Sequence, residues 1–264
     1  MASYTAADVQ ALRKQTGAGM LDAKKALDET DGDSAKAAQL LREKGLAGAS
    51  KRSDRENEQG ACFVVIGDDA GAIVELKCET DFVAKSEAFT STVEEMAKAV
   101  ADKGVGAVDE FTDKVDELKL TLKENIAVGR VIRVDGGGSS VIDGYLHLQS
   151  GRGVVGVLVK LDGGSKELAH ELALHVAFAR PSYLSRDDVP EEVVAAERST
   201  LETMTRNEGK PEAALAKIVE GRLDGFFKAN CLLEQAFVKD EKQRVRDVLG
   251  GAQLTEYALV VVGG

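Results

Sequence analysis

A strand, strand, helix pattern that occurs twice constrains the fold more than any other feature of this sequence. In each copy, two runs of alternating apolar residues predict a β-hairpin, and apolar residues at helical spacing predict a helix after it. The strands are expected at 61–66 and 72–78, then at 141–149 and 154–161, and the helices at 89–100 and 168–179. Such repetition is typical of a duplicated unit. We therefore predict an α+β protein with two similar antiparallel sheet-plus-helix subdomains.

The segment between the two copies indicates where one subdomain ends. A helix is predicted over 113–125 and a strand over 126–134, and the glycine- and serine-rich stretch 136–140 follows them. Glycine runs of this kind are typical of flexible boundaries. We therefore predict a first core subdomain over 55–139 and a second over 140–264.

Residues 1–54 are predicted to form a separate module of three short helices and a linker. Gly17 and Gly19 separate the first two helices, and Gly45 is placed at the end of the third. The charged and polar run 51–59 has no apolar anchor, which predicts a solvated linker. The inward-facing positions of the second helix are assigned to Met20 or Leu21, Ala23 and Leu27.

Two amphipathic helices separated by a short turn follow Pro181. They predict an antiparallel helical hairpin over about 187–228 that projects from the second subdomain, with one edge of the globular core as the alternative. The inward positions are assigned to Val194, Leu201 and Met204 in the first helix and Leu215, Val219 and Phe226 in the second. The chain is expected to close with a helix over 239–249 and a strand over 256–262.

Composition disfavours several classes of partner and location. The chain has 34 basic and 45 acidic residues, and its net charge of -11 repels nucleic acid phosphates. The apolar runs are far shorter than the roughly 20 residues of a membrane helix. Cys62, Cys78 and Cys231 form no CxxC pair, and the amino terminus has no apolar signal core. We therefore expect a cytoplasmic protein with reduced thiols, without direct nucleic acid or membrane partners.

Two motifs that suggest ligand chemistry have simpler interpretations. The glycines of 151–156 fit GxGxxG, but they join two predicted strands instead of opening a helix, which predicts a hairpin turn. His170 and His175 lie on one predicted helix, but a spacing of five rotates one away from the other. Ordinary helix positions are expected, with His175 near the buried face and His170 more exposed.

An acidic cluster is the remaining candidate for catalysis. Glu75, Glu79 and Asp81 could serve acid/base chemistry or hold Mg²⁺, although solvated carboxylates at a strand edge are the more common arrangement. The sequence gives no other catalytic constellation, so we expect no enzyme activity, no cofactor and no metal site.

An aromatic residue stands where a connection exposed to water is expected. Phe82 lies in the stretch 80–83, between a predicted strand and a predicted helix. It could fill the local core. Alternatively, it could be a wedge presented to a partner, because aromatic anchors often dominate interface energies.

Several motifs in the same order give the chain a family resemblance. TGAGM at 16–20, ETDFV at 79–83 and FVKD at 237–240 resemble bacterial translation elongation factor Ts. The resemblance implies a guanine nucleotide exchange factor for elongation factor Tu, the GTPase that delivers aminoacyl-tRNA. It also implies an amino-terminal module similar to ubiquitin-associated domains, two similar core subdomains and a coiled-coil hairpin. A non-enzymatic ubiquitin-like-binding or scaffold protein is the alternative.

The resemblance further assigns residues to partner binding. In that family, the positions matching Asp81 and Phe82 enter the partner's nucleotide-binding domain and disturb its Mg²⁺ site. The assigned residues are Thr80, Asp81, Phe82 and Val83 in the loop, Arg13, Met20 and Leu21 in the helical module, and His147 in the second hairpin.

Overall fold

The structure is a computed structural model that describes residues 4–50, 52–67 and 69–264. Residues 1–3, Lys51 and Asp68, which belong to the predicted first module, linker and hairpin turn, lie outside the described residues. The chain combines helices with antiparallel sheets, which confirms the α+β class. The boundaries at 54 and 139 and the likeness to ubiquitin-associated domains stay predictions.

Three helices form the amino-terminal module. They are α1 (Ala6–Thr16), α2 (Met20–Glu29) and α3 (Ser34–Ser50). Thr5 and Asp8 form the capping box at the start of α1, and Gly17 ends the helix in the left-handed region, with φ 67°. A small hydrophobic cluster lies between the helices and contains Val9, Leu12, Ala23, Ala26, Leu27 and Ala37.

Two predictions for this module are wrong. Met20 and Leu21 do not face the cluster: they are 49% and 73% exposed, because they lie in the first turn of α2 and the buried positions begin one turn later. Gly45 does not end α3, which continues to Ser50. Gly45 lies where α3 passes Leu120, and a Cβ at this position would collide with the Leu120 side chain.

The first sheet is covered by a helix on one face. The elements that form this part are β1 (Gln59–Ile66), β2 (Ala70–Cys78), α4 (Asp81–Ala84), α5 (Glu87–Lys103), a 3₁₀ helix (Val105–Phe111), α6 (Thr112–Leu122) and β3 (Ala127–Asp135). The strand order is β1-β2-β3, all antiparallel. Val74 and Leu76 of β2 pack with Phe89, Val93 and Met96 of α5 in one buried cluster.

The second sheet has the same plan. Its elements are β4 (Ser140–Gln149), β5 (Arg152–Asp162), α7 (Lys166–Ala179) and, at the end of the chain, β8 (Gln253–Val261). The order is β4-β5-β8, again antiparallel. Val157 and Val159 of β5 and Leu172 and Val176 of α7 belong to its buried cluster.

The two sheets pack against each other through their other faces. Ile73 and Val134 of the first sheet share a buried cluster with Leu158 and Val260 of the second. The 151–156 motif is the β4–β5 turn and the start of β5, as predicted. A Cβ on Gly153 would collide with the carbonyl of Cys62 in the other sheet, so this glycine is required by close approach between the sheets.

An ion pair with a buried carboxylate lies in the same interface. Glu75 is fully buried, and Arg130 donates to it from Nε (2.9 Å), Nη2 (3.0 Å) and its backbone N–H (3.2 Å). Arg130 also donates to the carbonyl of Val261 in the second sheet. Burial alone would raise the pKa of Glu75, but the hydrogen bonds and charge of Arg130 outweigh it and hold that pKa below its ordinary value. The prediction of a solvated Glu75 is therefore wrong.

The helical hairpin has its own hydrophobic cluster. It consists of α8 (Glu191–Asn207) and α9 (Glu212–Asn230), and Leu201, Leu215, Val219 and Leu223 form the buried cluster between them. A cluster separate from those of the sheets is expected for a hairpin and not for an edge of the core. Met204 was predicted inward but is exposed, and Thr205 is buried in its place, where its hydroxyl donates to the Leu201 carbonyl and accepts from Arg222.

The predicted helix over 239–249 is wrong in its first half. The chain instead forms a small hairpin of β6 (Ala236–Phe237) and β7 (Asp240–Arg244), followed by the single turn α10 (Val245–Val248). Residues 239–244 are all polar or charged, so a helix there would have no apolar face to bury. Within the part of the chain that the structure describes, no helix is long and apolar enough to cross a membrane.

Two glycines inside α9 allow a test of the hairpin. A Cβ added at Gly221 or Gly225 would meet no atom within 4 Å. We expect Gly221→Ala and Gly225→Ala each to raise the free energy of unfolding by about 0.5–1 kcal/mol, because alanine loses less backbone entropy in a helix. Denaturant melts measure the change.

Gly209 in the hairpin turn is the matched control. It has equally open surroundings, but its φ is +70°, a conformation that is strained for alanine. Gly209→Ala should therefore lower stability. Equal effects at all three positions would contradict the assignment of α9 as an ordinary helix at Gly221 and Gly225.

Candidate functional site

The connection between β2 and α5 presents an aromatic side chain to solvent. Thr80 caps the four-residue helix α4, and its hydroxyl accepts a hydrogen bond from the Val83 N–H at 3.3 Å. Ala84 is buried and Val83 packs against the α5 cluster, so α4 turns Phe82 outward. Phe82 is 82% exposed. The core-filling interpretation of Phe82 is therefore wrong, and its exposure is that expected of a wedge.

A cation lies beside the exposed ring. Lys85 pairs with Asp81 one turn earlier, and its Nζ is 5.9 Å from the centroid of the Phe82 ring. The hydrogen bond from Lys85 holds the pKa of Asp81 below its ordinary value, and the charge of Arg152 acts in the same direction. Asp81 is thus an anion next to an exposed aromatic ring at neutral pH.

The three acidic residues considered for catalysis do not converge. Glu75 faces Arg130 between the sheets, Glu79 pairs with Arg55 at 3.3 Å, and Asp81 pairs with Lys85. Among the described residues, no group of three or more His, Cys, Asp or Glu side chains is arranged to hold a metal ion. The cluster predicted as a possible Mg²⁺ site is therefore dispersed into separate ion pairs.

The backbone at the start of α4 is anchored by Glu124, a residue that was not predicted from the sequence. Glu124, in the turn after α6, accepts hydrogen bonds from the N–H groups of Glu79 (2.9 Å) and Thr80 (3.0 Å) and from the Thr80 hydroxyl (2.5 Å). No local signal marks Glu124, because it is more than 40 residues from its partners.

The predicted linker is also held by this turn. The side-chain amide of Asn125 donates to the carbonyls of Ser53 (3.1 Å) and Arg55 (2.7 Å). Arg52 donates to the carbonyl of Lys119 in α6 at 3.2 Å. The segment is polar, as predicted, but these contacts tie it to the core.

The other predicted binding residues lie on different elements. Arg13, Met20 and Leu21 are exposed on the amino-terminal module, which contacts α6 through Arg42 and Asp113 (3.5 Å). His147 is exposed on β4 of the second sheet, and its Nδ1 lies 3.1 Å from the Tyr145 hydroxyl. The structure thus groups Thr80–Val83 in one loop and places the remaining residues outside it.

Arg152 connects the second hairpin with the region of the loop. It donates to the Gly60 carbonyl (2.6 Å) and the Gln59 side chain (2.9 Å) at the start of β1, and its charge influences Asp81. No sequence pattern marks Arg152, since only the packing of the two sheets brings β5 next to β1.

The two histidines of α7 have separate environments. His175 is buried, its Nδ1 accepts from the Val238 N–H (3.2 Å), and its Nε2 bonds to the Gln235 side chain (3.1 Å). Burial lowers the pKa of His175, which favours the neutral imidazole that these bonds require. His170 is exposed, with Nδ1 3.7 Å from Asp143. The structure confirms a buried His175 and an exposed His170.

Comparison with known proteins agrees with the motifs. The profile of the family described as "Elongation factor TS" matches residues 79–263. A protein of Renibacterium salmoninarum named Elongation factor Ts is 46% identical, over 96% of this chain and 95% of its own length. Proteins of the same name from Streptomyces coelicolor (46% identical) and Micrococcus luteus (45%) align over the full length of both chains. This chain belongs to the Elongation factor Ts family.

Proposed function

We propose that this chain is a guanine nucleotide exchange factor that binds elongation factor Tu and promotes the release of GDP. Membership of the Elongation factor Ts family gives the chain a role in the elongation phase of translation. The observation that carries the exchange proposal is the exposure of Phe82 on a helix whose cap and anchor hold it in place. A large exposed ring on a capped and anchored backbone is pre-organised for burial against a partner, and aromatic residues of this kind are common interface anchors.

The loop would act on the Mg²⁺ and phosphate site of the partner. Mg²⁺ requires near-ideal octahedral oxygen ligands and bridges the protein to the nucleotide phosphates. An inserted Phe82 ring and the adjacent Asp81 carboxylate would displace the elements that hold the ion, which weakens the binding of both ion and GDP. By linkage, a factor that prefers the nucleotide-free partner weakens nucleotide binding to the same extent. We propose that this chain itself forms no covalent bond and is not an enzyme.

The other exposed residues would enlarge the contact. Met20 and Leu21 offer apolar surface and Arg13 a cation on one side of the amino-terminal module. We propose that these residues dock on the nucleotide-binding domain of elongation factor Tu, and that His147 contacts another domain. The partner would be bound in its GDP-bound and nucleotide-free forms in the cytoplasm.

Release of fluorescent GDP from elongation factor Tu tests the proposal. We expect catalytic amounts of this chain to accelerate release, with a rate that rises in proportion to the chain and saturates as the concentration of the GDP-bound partner is raised. The chain should be shown to be folded by a cooperative melt in the same buffer, and partner alone gives the basal rate. Release at the basal rate in the presence of folded chain would contradict the proposed function.

A further inference from the structure

The turn after α6 restrains the start of α4 with one carboxylate. Lys123 ends α6 in the left-handed conformation, with φ 59°, and the next residue, Glu124, is half-buried and faces the loop. Glu124 accepts from two backbone N–H groups, those of Glu79 and Thr80, and from the Thr80 hydroxyl. Bonds to an ionised acceptor are stronger than neutral ones, so this contact can fix the backbone at the entry to α4.

The Thr80 hydroxyl connects Glu124 with α4, because it takes part in hydrogen bonds to both. Because its hydrogen is donated to Glu124, its lone pairs remain free to accept from the Val83 N–H and cap α4. A helix of one turn is not stable alone, so its cap and anchor decide whether it forms. The Phe82 ring is largely exposed, and its direction is therefore set by this backbone and not by packing.

We propose that Glu124 is a positioning residue for nucleotide exchange, which acts through Thr80 to keep α4 folded and Phe82 directed outward. The inference rests on the proposed function, since it explains how the wedge is prepared before the partner binds. Glu124 itself lies beneath the loop, and its effect on the partner is indirect. Glu117, exposed on α6, is the matched carboxylate without this role.

Amide hydrogen exchange in the free protein tests the anchoring directly. In Glu124→Ala we expect the N–H groups of Val83 and Ala84 to exchange at least about tenfold faster, with Glu124→Gln between it and the wild type. The denaturation midpoint and the protection of α5 should change little, and Glu117→Gln should match the wild type throughout. Unchanged protection of Val83 and Ala84 in Glu124→Ala would overturn the inference.

GDP release from elongation factor Tu tests the link to function. Glu124→Ala should lower kcat/KM for exchange about tenfold in the wild-type chain but less than twofold in a chain that also carries Phe82→Ala. A general loss of structure would lower both by the same factor, which would overturn the positioning role. Thr80→Val, which removes the hydroxyl that links Glu124 to α4, should resemble Glu124→Ala.

The outcomes separate the two proposals. If the wild type does not accelerate release, the proposed function fails and with it the role of Glu124 in exchange, while hydrogen exchange still decides whether Glu124 orders the loop. If the wild type accelerates release and Glu124→Ala equals it, the inference alone fails. If Glu124→Ala does not fold, Glu124→Gln and Thr80→Val carry the same comparison.

Discussion

Phe82→Ala is expected to lower the acceleration of GDP release about thirtyfold or more and to leave folding stability nearly unchanged. Truncation of an aromatic anchor at the centre of an interface costs about 2 kcal/mol or more, which corresponds to that factor. The ring is 82% exposed in the free chain, so its removal should change the free energy of unfolding by no more than about 0.5 kcal/mol. Stopped-flow GDP release and denaturant melts on the same preparation measure both quantities.

Phe178 provides a matched control for this experiment. It is 76% exposed on α7, outside the loop and the other predicted binding residues. Phe178→Ala should leave both stability and exchange close to wild type. Removal of a buried Phe would instead cost about 3–5 kcal/mol. A large midpoint loss in Phe82→Ala, or a stable variant with normal exchange, would contradict the wedge.

Glu75→Ala is expected to lower the free energy of unfolding by about 1.5–3 kcal/mol. The substitution removes the acceptor of three hydrogen bonds from Arg130. The Arg130 side chain is 37% exposed, so water can hydrate its charge in part, but its backbone N–H loses its partner. The loss is a considerable part of the roughly 5–15 kcal/mol that stabilises a typical protein. Chemical denaturation of the full chain at neutral pH measures it.

Two further variants test whether the loss of stability in Glu75→Ala comes from the ion pair with Arg130. The double variant Glu75→Leu with Arg130→Met removes both charges and should recover much of the loss. Glu94→Ala breaks an exposed ion pair with Lys98 and should cost less than about 1 kcal/mol. Equal losses in the Glu75 and Glu94 variants would show that burial of the pair contributes nothing.

The ion pair of Glu75 with Arg130 should also make the free energy of unfolding depend on pH. The pKa of Glu75 is lowered in the folded chain, so the unfolded chain binds a proton first as the pH falls below about 4.3. The contribution of the pair to stability is therefore present at neutral pH and lost as the pH falls through the folded pKa. The difference in stability between wild type and Glu75→Ala should narrow in acid and remain constant from pH 6 to 8.

Elements with a clear period could be predicted from the sequence. The hairpins before Phe89 and Leu168 and the helices after them follow from alternation and helical spacing, which are local properties of the chain. The helix predicted over 239–249 is wrong in its first half, because residues 239–244 are all polar or charged and their structure depends on the pairing of β6 with β7. Met20 and Met204 were assigned inward because a helical period cannot show which turns a neighbouring helix covers.

Only part of the candidate site could be predicted from the sequence. Residues 80–83 could be identified from an aromatic residue at an unusual position and from the family resemblance. Glu124 and Arg152 were missed because each becomes relevant through contacts with residues more than 40 positions away. The burial of Glu75 was missed for the same reason, since Arg130 is 55 residues further along the chain.

The attachment of the linker to Asn125 affects how the amino-terminal module can meet a partner. A freely jointed segment of nine residues has a root-mean-square span of about 15–18 Å, which would spread the face of Arg13, Met20 and Leu21 over a large volume. The hydrogen bonds at Ser53 and Arg55 remove much of that freedom. If Phe82 engages the partner as proposed, the second surface would therefore be present at a high effective concentration, and two modest contacts would combine into a bivalent attachment.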